Sequence, residues 1–264
     1  MNVLKYIGAI CCMLSLLIAC KDYDSDFTDV PQADEITVFD GSVLDYLEQG
    51  NPNRGLDFDS MLVVINGIPG LRDSLAKETG ERTIFAVPNI CFQEAMLRLN
   101  NYRETKEKGR NLYLRDLLIE PFVVIEEQEG PTPDSVIIIE HPYDYRLQLD
   151  SLMSRYIFEG SFDMKTLSEY TNGLHTQDFK FGYLMHILFE RQYASGLEDM
   201  GKRRLILSDK NYTLLDEGWD RSETQVINIQ TSNGYIHVLS NGHEFGFSKL
   251  IANFQNYGNE YIYD

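Results

Sequence analysis

TSNGYIHVLSNGHEF, residues Thr231 to Phe245, is the stretch on which the reading of the fold turns. It holds two Asn-Gly turn signals around a run of β-formers, and two of the five histidines of the chain. Asn-Gly between β-rich segments is the strongest short-range hairpin signal. The pattern therefore predicts a strand through Tyr235–Leu239 entered from a tight turn, with Ile236 and Val238 packing inward and His237 on the face of Tyr235 and Leu239. The histidines raise the question of a metal or catalytic site. None of His141, His175, His186, His237 and His243 lies in H-x-H, H-E-x-x-H or a Cys/His cluster. His237 is read as a hydrogen-bonded structural residue.

Working outward, "YLMHILF", "RLILSD" and "TQVINIQ" are further candidate strands in the C-terminal half. The N-terminal half is helical. Ser42 with Asp45 approaches a capping box for a short helix carrying Val43, Leu44 and Leu47. Asp57 is read as the cap of a second helix, with Phe58, Met61, Leu62 and Ile65 at i, i+3, i+4, i+7. Leu71 and Leu75 mark a third. "TIFAVP", Thr83 to Pro88, reads as a buried strand stopped by proline, and Asn89 as the cap of the helix that buries Phe92, Met96 and Leu99. Helices first and strands later argue for α+β.

The flanks bear on location. Lys5 followed by an uncharged apolar run, Tyr6–Ala19, has the length of a signal-peptide core and is short for a membrane span. It ends in Leu17-Ile18-Ala19-Cys20, which resembles the bacterial lipobox. The expected arrangement is a signal peptide over 1–19, lipid attachment at Cys20 and an acidic tether over 20–40. "KDYDSDFTD" after Cys20 resembles the export tag of surface lipoproteins in Bacteroidota. Outer-membrane surface display is the reading, with a periplasm-facing position as the alternative. Asp22, Asp24 and Asp26 have the opening spacing of a calcium loop, but Phe27 stands where Gly is needed and Ala33 where Glu is needed. Cys11 and Cys12 leave with the signal, so Cys91 is the one thiol remaining; it is expected as a buried small hydrophobe.

The 264 residues carry 41 Asp+Glu against 23 Lys+Arg, a net charge of −18. That repels phosphate backbones, so no nucleic-acid partner is expected. Chemistry-bearing motifs are weak. There is no G-x-S-x-G. "GLEDMGKRR" spaces Gly196, Gly201 and Lys202 as a phosphate loop does, but Arg203 replaces the required hydroxyl. Acid pairs such as Glu126/Glu127 and Asp216/Glu217, and Glu140 beside His141, follow from the composition. No catalytic residue, cofactor or metal is expected. Among 16 Tyr, 14 Phe and 1 Trp, Trp219 in the polar "DEGWDRSE" is the conspicuous aromatic, either a ligand contact or a lid folded onto the core.

"TIFAVPNICF" resembles the first signature box of fasciclin domains: Thr, an aliphatic residue, Phe-Ala-Pro, Ser or Thr, Asn or Asp, any residue, Ala-Phe. Thr83, Phe85, Asn89 and Phe92 match, as do Ile84 and Ala86. Val87-Pro88 displaces the proline by one, and Cys91 takes the Ala position. Asn233, Gly234, Ile236, His237 and Leu239 match the C-terminal box. Tyr156 stands at the Tyr of the Tyr-His pair between them, but Ile157 takes the His position and "EGS" the Pro-Gly turn. The resemblance spans 41–250, with an insertion at about 103–146 and a tail over 251–264 that is either a last strand or a docking segment. It points to fasciclin-domain lipoproteins of Bacteroidota. It implies a wedge of two β-sheets with a helical bundle at one edge, and adhesion or recognition of an extracellular protein or polysaccharide without catalysis. The alternative function is an accessory glycan-binding lipoprotein of an outer-membrane nutrient-uptake complex.

Overall fold

The two boxes, about 150 residues apart in sequence, lie side by side. β2 (Arg82–Ala86) and β10 (Gly234–Leu239) pair in parallel over five residues, from Gly234 opposite Arg82 to Val238 opposite Ala86. The computed structural model describes residues 36–51, 55–77, 81–132, 134–191 and 201–258, which fall in one compact unit. Residues 1–35, with the signal segment, Cys20 and most of the tether, lie outside the described residues, as do Gly196 and the C-terminal 259–264.

The α+β expectation holds, with two sheets of unequal size. The remaining strands are β1 (Thr37–Val38), β3 (Phe122–Glu129), β4 (Val136–Tyr143), β5 (Ile157–Glu159), β6 (Leu174–Gln177), β7 (Leu184–Arg191), β8 (Arg203–Asp209) and β9 (Asp220–Thr231). The large sheet runs β5-β2-β10-β9-β8-β7-β6, with β1 also on β9; β3 and β4 form a separate two-stranded ribbon. β1 corrects the tether boundary, because Thr37 and Val38 pair in parallel with Ile229 and Gln230. Besides β1, β9 serves two longer neighbours in turn. Its residues 220–223 pair with β8, and 224–231 pair with β10. Where β8 diverges, the Thr224 hydroxyl replaces the lost ladder, accepting from Leu205 N–H at 2.9 Å and donating to Leu205 O at 3.2 Å. A buried backbone group left without such a partner costs about 1–3 kcal/mol.

Four helices, α1 (Val43–Gln49), α2 (Asp59–Gly67), α3 (Leu71–Leu75) and α4 (Asn89–Thr105), press their apolar faces on one shared core. The Ser42–Asp45 capping box is formed in both directions. α4 buries Cys91, Phe92, Ala95 and Leu99, while Met96 is only partly covered. Helices α5 (Tyr145–Ser154) and α6 (Met164–Ser168) follow, and α7 (Leu250–Phe254) opens the tail expected over 251–264, whose last six residues lie outside the described residues. Leu250 and Phe254 are buried. The buried Arg103 guanidinium donates to the carbonyls of Gln255 at 3.0 Å, Tyr257 at 2.8 Å and Lys108 at 2.6 Å. That clamp satisfies carbonyls that the end of a helix leaves without intrahelical donors.

The insertion expected at 103–146 contains the end of α4, a 3-10 turn at Leu114–Leu118 and the whole β3–β4 ribbon. Phe122 stacks on Tyr143 at 5.5 Å and joins Tyr145, fixing the foot of the ribbon to the core.

The β10–β2 approach leaves no room for a side chain at its first position. A Cβ on Gly234 would lie 2.0 Å from the Arg82 carbonyl oxygen. Gly234→Ala should therefore force the strands apart and cost ~3 kcal/mol. A guanidinium denaturation series would show this as a lowered midpoint, and an unchanged midpoint would contradict the close approach.

Candidate functional site

Two signature residues converge, and each polar signature side chain bonds at least one backbone group. Thr83 and His237, on neighbouring strands, grip the same residue from two sides. The Thr83 hydroxyl donates to Gly160 O and accepts from Phe162 N–H, both at 2.8 Å. His237 Nε2 donates to Phe162 O at 2.8 Å, while its Nδ1 accepts from Asn228 N–H at 3.0 Å. Asn228 has φ 65° and lies where the register between β9 and β10 slips by one residue. The imidazole thus caps a β-bulge, a feature that leaves a backbone group unpaired. Both ring nitrogens are occupied, and full burial pushes the His237 pKa down to about 4. The ring also packs 5.1 Å from Phe85, which meets Phe158 edge-on. Ile236 is fully buried beside it.

Asn233 lies in the two-residue turn between β9 and β10. Its Oδ1 accepts from Val43 N–H at 2.9 Å, at the start of α1. Its Nδ2 donates to Leu75 O at 3.0 Å and Lys77 O at 3.2 Å, at the end of α3. One amide closes two helix ends, a task that needs a donor and an acceptor on the same side chain. Asn89 corrects the capping assignment. It is the first residue of α4, and its Oδ1 accepts from Ser60 N–H at 2.8 Å, capping α2 instead. Asp57, expected to cap α2 by its side chain, contributes its carbonyl to Asn89 N–H. The reason is tertiary: the start of α4 lies against the start of α2.

Tyr156 has a partner that the sequence did not show. Its hydroxyl shares a hydrogen bond with His243 Nε2 at 2.8 Å and accepts from Gly246 N–H at 2.7 Å. The phenol is stacked between Phe245 and Phe247, and Phe92 stacks on Phe245 at 4.2 Å. Burial raises the Tyr156 pKa well above its usual value and pushes His243 down to about 3. Cys91 is buried as expected, its pKa pushed up to about 12 by desolvation.

Exposed chemistry lies elsewhere. β5 and β6 are the two ends of the large sheet, brought together where Phe179 N–H donates to Ile157 O at 3.0 Å. A groove of about 540 Å³ opens there, lined by Glu159 of β5, His175, Thr176 and Gln177 of β6, and Lys210. Lys210 is 7% exposed. Its ammonium reaches His175 Nδ1 at 3.3 Å and lies 5.1 Å from the centre of the Trp219 ring. Among the described residues it has no carboxylate partner. Trp219 is half-buried: its indole N–H donates to Thr213 O at 3.0 Å, and the ring packs 4.9 Å from His186 and 5.9 Å from His175. It is therefore a wall over the Lys210 ammonium and the two imidazoles, not a lid on the main core. Desolvation first, and then the Lys210 charge, holds both imidazoles below the usual histidine pKa. Asp178, also in the groove, accepts from Ser154 and from the N–H groups of Phe181 and Tyr183. The groove thus offers a cation, a hydroxyl, an amide and a nearby aromatic ring, which suit a polar ligand. Its histidines and Trp219 are far apart in sequence, and the lone Trp was the one legible signal.

Among the described residues no three His, Cys, Asp or Glu side chains cluster as a metal site, and no helix is long and apolar enough to cross a membrane. No family model matches the chain, and no curated protein matches it. A similar solved structure is a FAS1 domain pair from the insect cell adhesion molecule fasciclin I, at 13% identity and TM-score 0.41, covering 76% of this chain and 46% of that one. The chain thus spans less than half the length of that domain pair.

The buried imidazoles make the fold acid-labile. Their folded pKa values lie below the ordinary 6.5 of an unfolded histidine. The unfolded state therefore binds more protons, and stability present above pH 6.5 is lost as the pH falls toward 4. His237 and His243 should each forfeit about 3 kcal/mol between pH 7 and pH 4. Urea unfolding across that range, repeated on His243→Phe, checks this; a variant whose pH slope equals that of the wild type would contradict it.

Proposed function

We propose that this chain is a lipid-anchored outer-membrane protein, acylated at Cys20 and displayed at the cell surface, whose fasciclin-like domain recognises an extracellular macromolecule and catalyses no reaction. The observation that carries this reading is the commitment of the signature residues to scaffold. Thr83, Asn89, Tyr156, Asn233 and His237 bond backbone groups. Phe85, Phe92 and Ile236 fill the core, and Gly234 lets two strands approach. A rigid body of this kind suits presentation of surface features to a partner protein or polysaccharide, the class of ligand that the fasciclin resemblance implies. The acidic segment after Cys20 supplies the spacer.

A second reading, glycan binding as part of a nutrient-uptake complex, draws on the groove. Lys210 is a nearly buried cation without a counter-ion among the described residues, beneath an indole ring. Desolvating a charge is costly unless it is paired. A ligand carboxylate, as on a uronic acid, would supply that pair.

Proteolytic shaving of intact cells carrying the full chain should remove the domain, and Cys20→Ala should abolish membrane association. Full protection of the wild type would place the domain on the periplasmic side. Titration calorimetry with an oligogalacturonate against a neutral oligosaccharide tests the groove. Lys210→Gln should weaken acidic-sugar binding by ~10-fold or more, the worth of one charged hydrogen bond. Equal heats with both sugars, or an unaffected variant, would remove the groove from consideration.

A further inference from the structure

Four Asn-Gly dipeptides occur in the chain, beginning at Asn66, Asn172, Asn233 and Asn241. Each carries the same reactive pair: a side-chain amide carbonyl and the backbone nitrogen that follows it. Glycine leaves that nitrogen unshielded because it has no Cβ. By local sequence the four are alike, and the fold separates them. Asn66 and Gly67 end α2, where Asn66 Oδ1 accepts from Arg72 at 2.9 Å and Leu118 fills the space beside Gly67. Gly173 N–H donates to Tyr170 O at 2.9 Å. The Asn233 amide is bonded to Val43, Leu75 and Lys77, and Gly234 is held against Arg82.

Asn241 and Gly242 are both exposed. They are the central residues of the turn that His243 N–H closes on Ser240 O at 3.0 Å. Among the described residues the Gly242 N–H has no acceptor, and a Cβ on Gly242 would meet nothing within 4 Å. The side-chain carbonyl of Asn241 is held in place. Gln225 Nε2 donates to Leu239 O at 2.9 Å and to Asn241 Oδ1 at 3.1 Å. A donor fixed on a carbonyl oxygen stabilises the negative charge that develops there when its carbon is attacked. Electrophile, free nucleophile and donor thus meet at one solvent-facing turn.

We propose that Asn241 is a site of spontaneous modification, converting through a succinimide to aspartate and isoaspartate, with Gln225 as the positioned donor. The Gly242 nitrogen bonds to Asn241 Cγ, and the Cγ–Nδ2 bond breaks. The Gly242 amide proton passes through solvent to the departing Nδ2, which leaves as ammonia. Water then opens the ring. Opening at Cγ gives aspartate on an unchanged backbone; opening at the backbone carbonyl gives isoaspartate. The net change is loss of ammonia and gain of water. Isoaspartate lengthens the backbone just before His243, whose ring bonds Tyr156. The modification is independent of the groove and of any ligand.

The test is peptide mapping by mass spectrometry of the full chain held folded at mildly alkaline pH, with isoaspartate located by methyltransferase labelling. The Asn241 fragment should convert about ten-fold faster or more than those of Asn66, Asn172 and Asn233, which must open locally to react. In guanidinium the four rates should draw together, since each asparagine is followed by glycine. Gly242→Ala, which the open space accommodates, should slow conversion in both states. Gln225→Leu should slow it several-fold in the folded protein and leave the unfolded rate unchanged. Equal rates at the four sites in the folded chain, or conversion of another of these asparagines ahead of Asn241, would overturn the proposal. So would a folded Gln225→Leu variant that converts as fast as the wild type.

Discussion

The parallel approach of β10 to β2 is the constraint on which the rest depends. It brings Gly234 against Arg82 with no space for a Cβ, and places His237 beside Phe85 and within reach of Phe162. Thr83 holds the same Phe162 from the next strand. Three segments far apart in sequence are therefore closed at one point. The β-bulge at Asn228 is what His237 repairs there, and its neutral ring is the form that accepts at one nitrogen and donates at the other. A histidine used in this way is a backbone surrogate, and its low pKa follows from burial.

The scaffold divides labour with its surface. Buried polar side chains serve helix ends, the bulge and the C-terminal segment, as Asn233, His237 and Arg103 illustrate. Among the described residues two surface features stand out: a groove between the sheet ends with a cation that has no carboxylate partner there, and an acidic ribbon with an apolar stripe. They differ in charge.

Much of the local structure was legible. The Ser42–Asp45 capping box, the hairpin at Asn233, the buried strand at Thr83–Ala86 and the burial of Cys91 all follow from short-range pattern, because each depends on neighbours within a few residues. Asn89 shows where such reading stops. Its residue type identified a cap, but the helix that it caps is fixed by how α4 meets α2. The pairing of Tyr156 with His243, 87 positions away, gave no sequence signal, since neither residue alone reports its partner. The helix at Leu250–Phe254 was missed because five residues are too few to show a period.

The sequence by itself determined the class of fold, the acidic character, the turn positions and the residues too apolar or too constrained to be exposed. Composition and local periodicity carry that information directly. Only the tertiary structure decided that the signature side chains bond the scaffold, that Lys210 lies beneath Trp219 without a counter-ion among the described residues, and that one face of the 122–143 ribbon is exposed. These are matters of which distant groups meet, and a buried polar atom takes its role from the partner that reaches it.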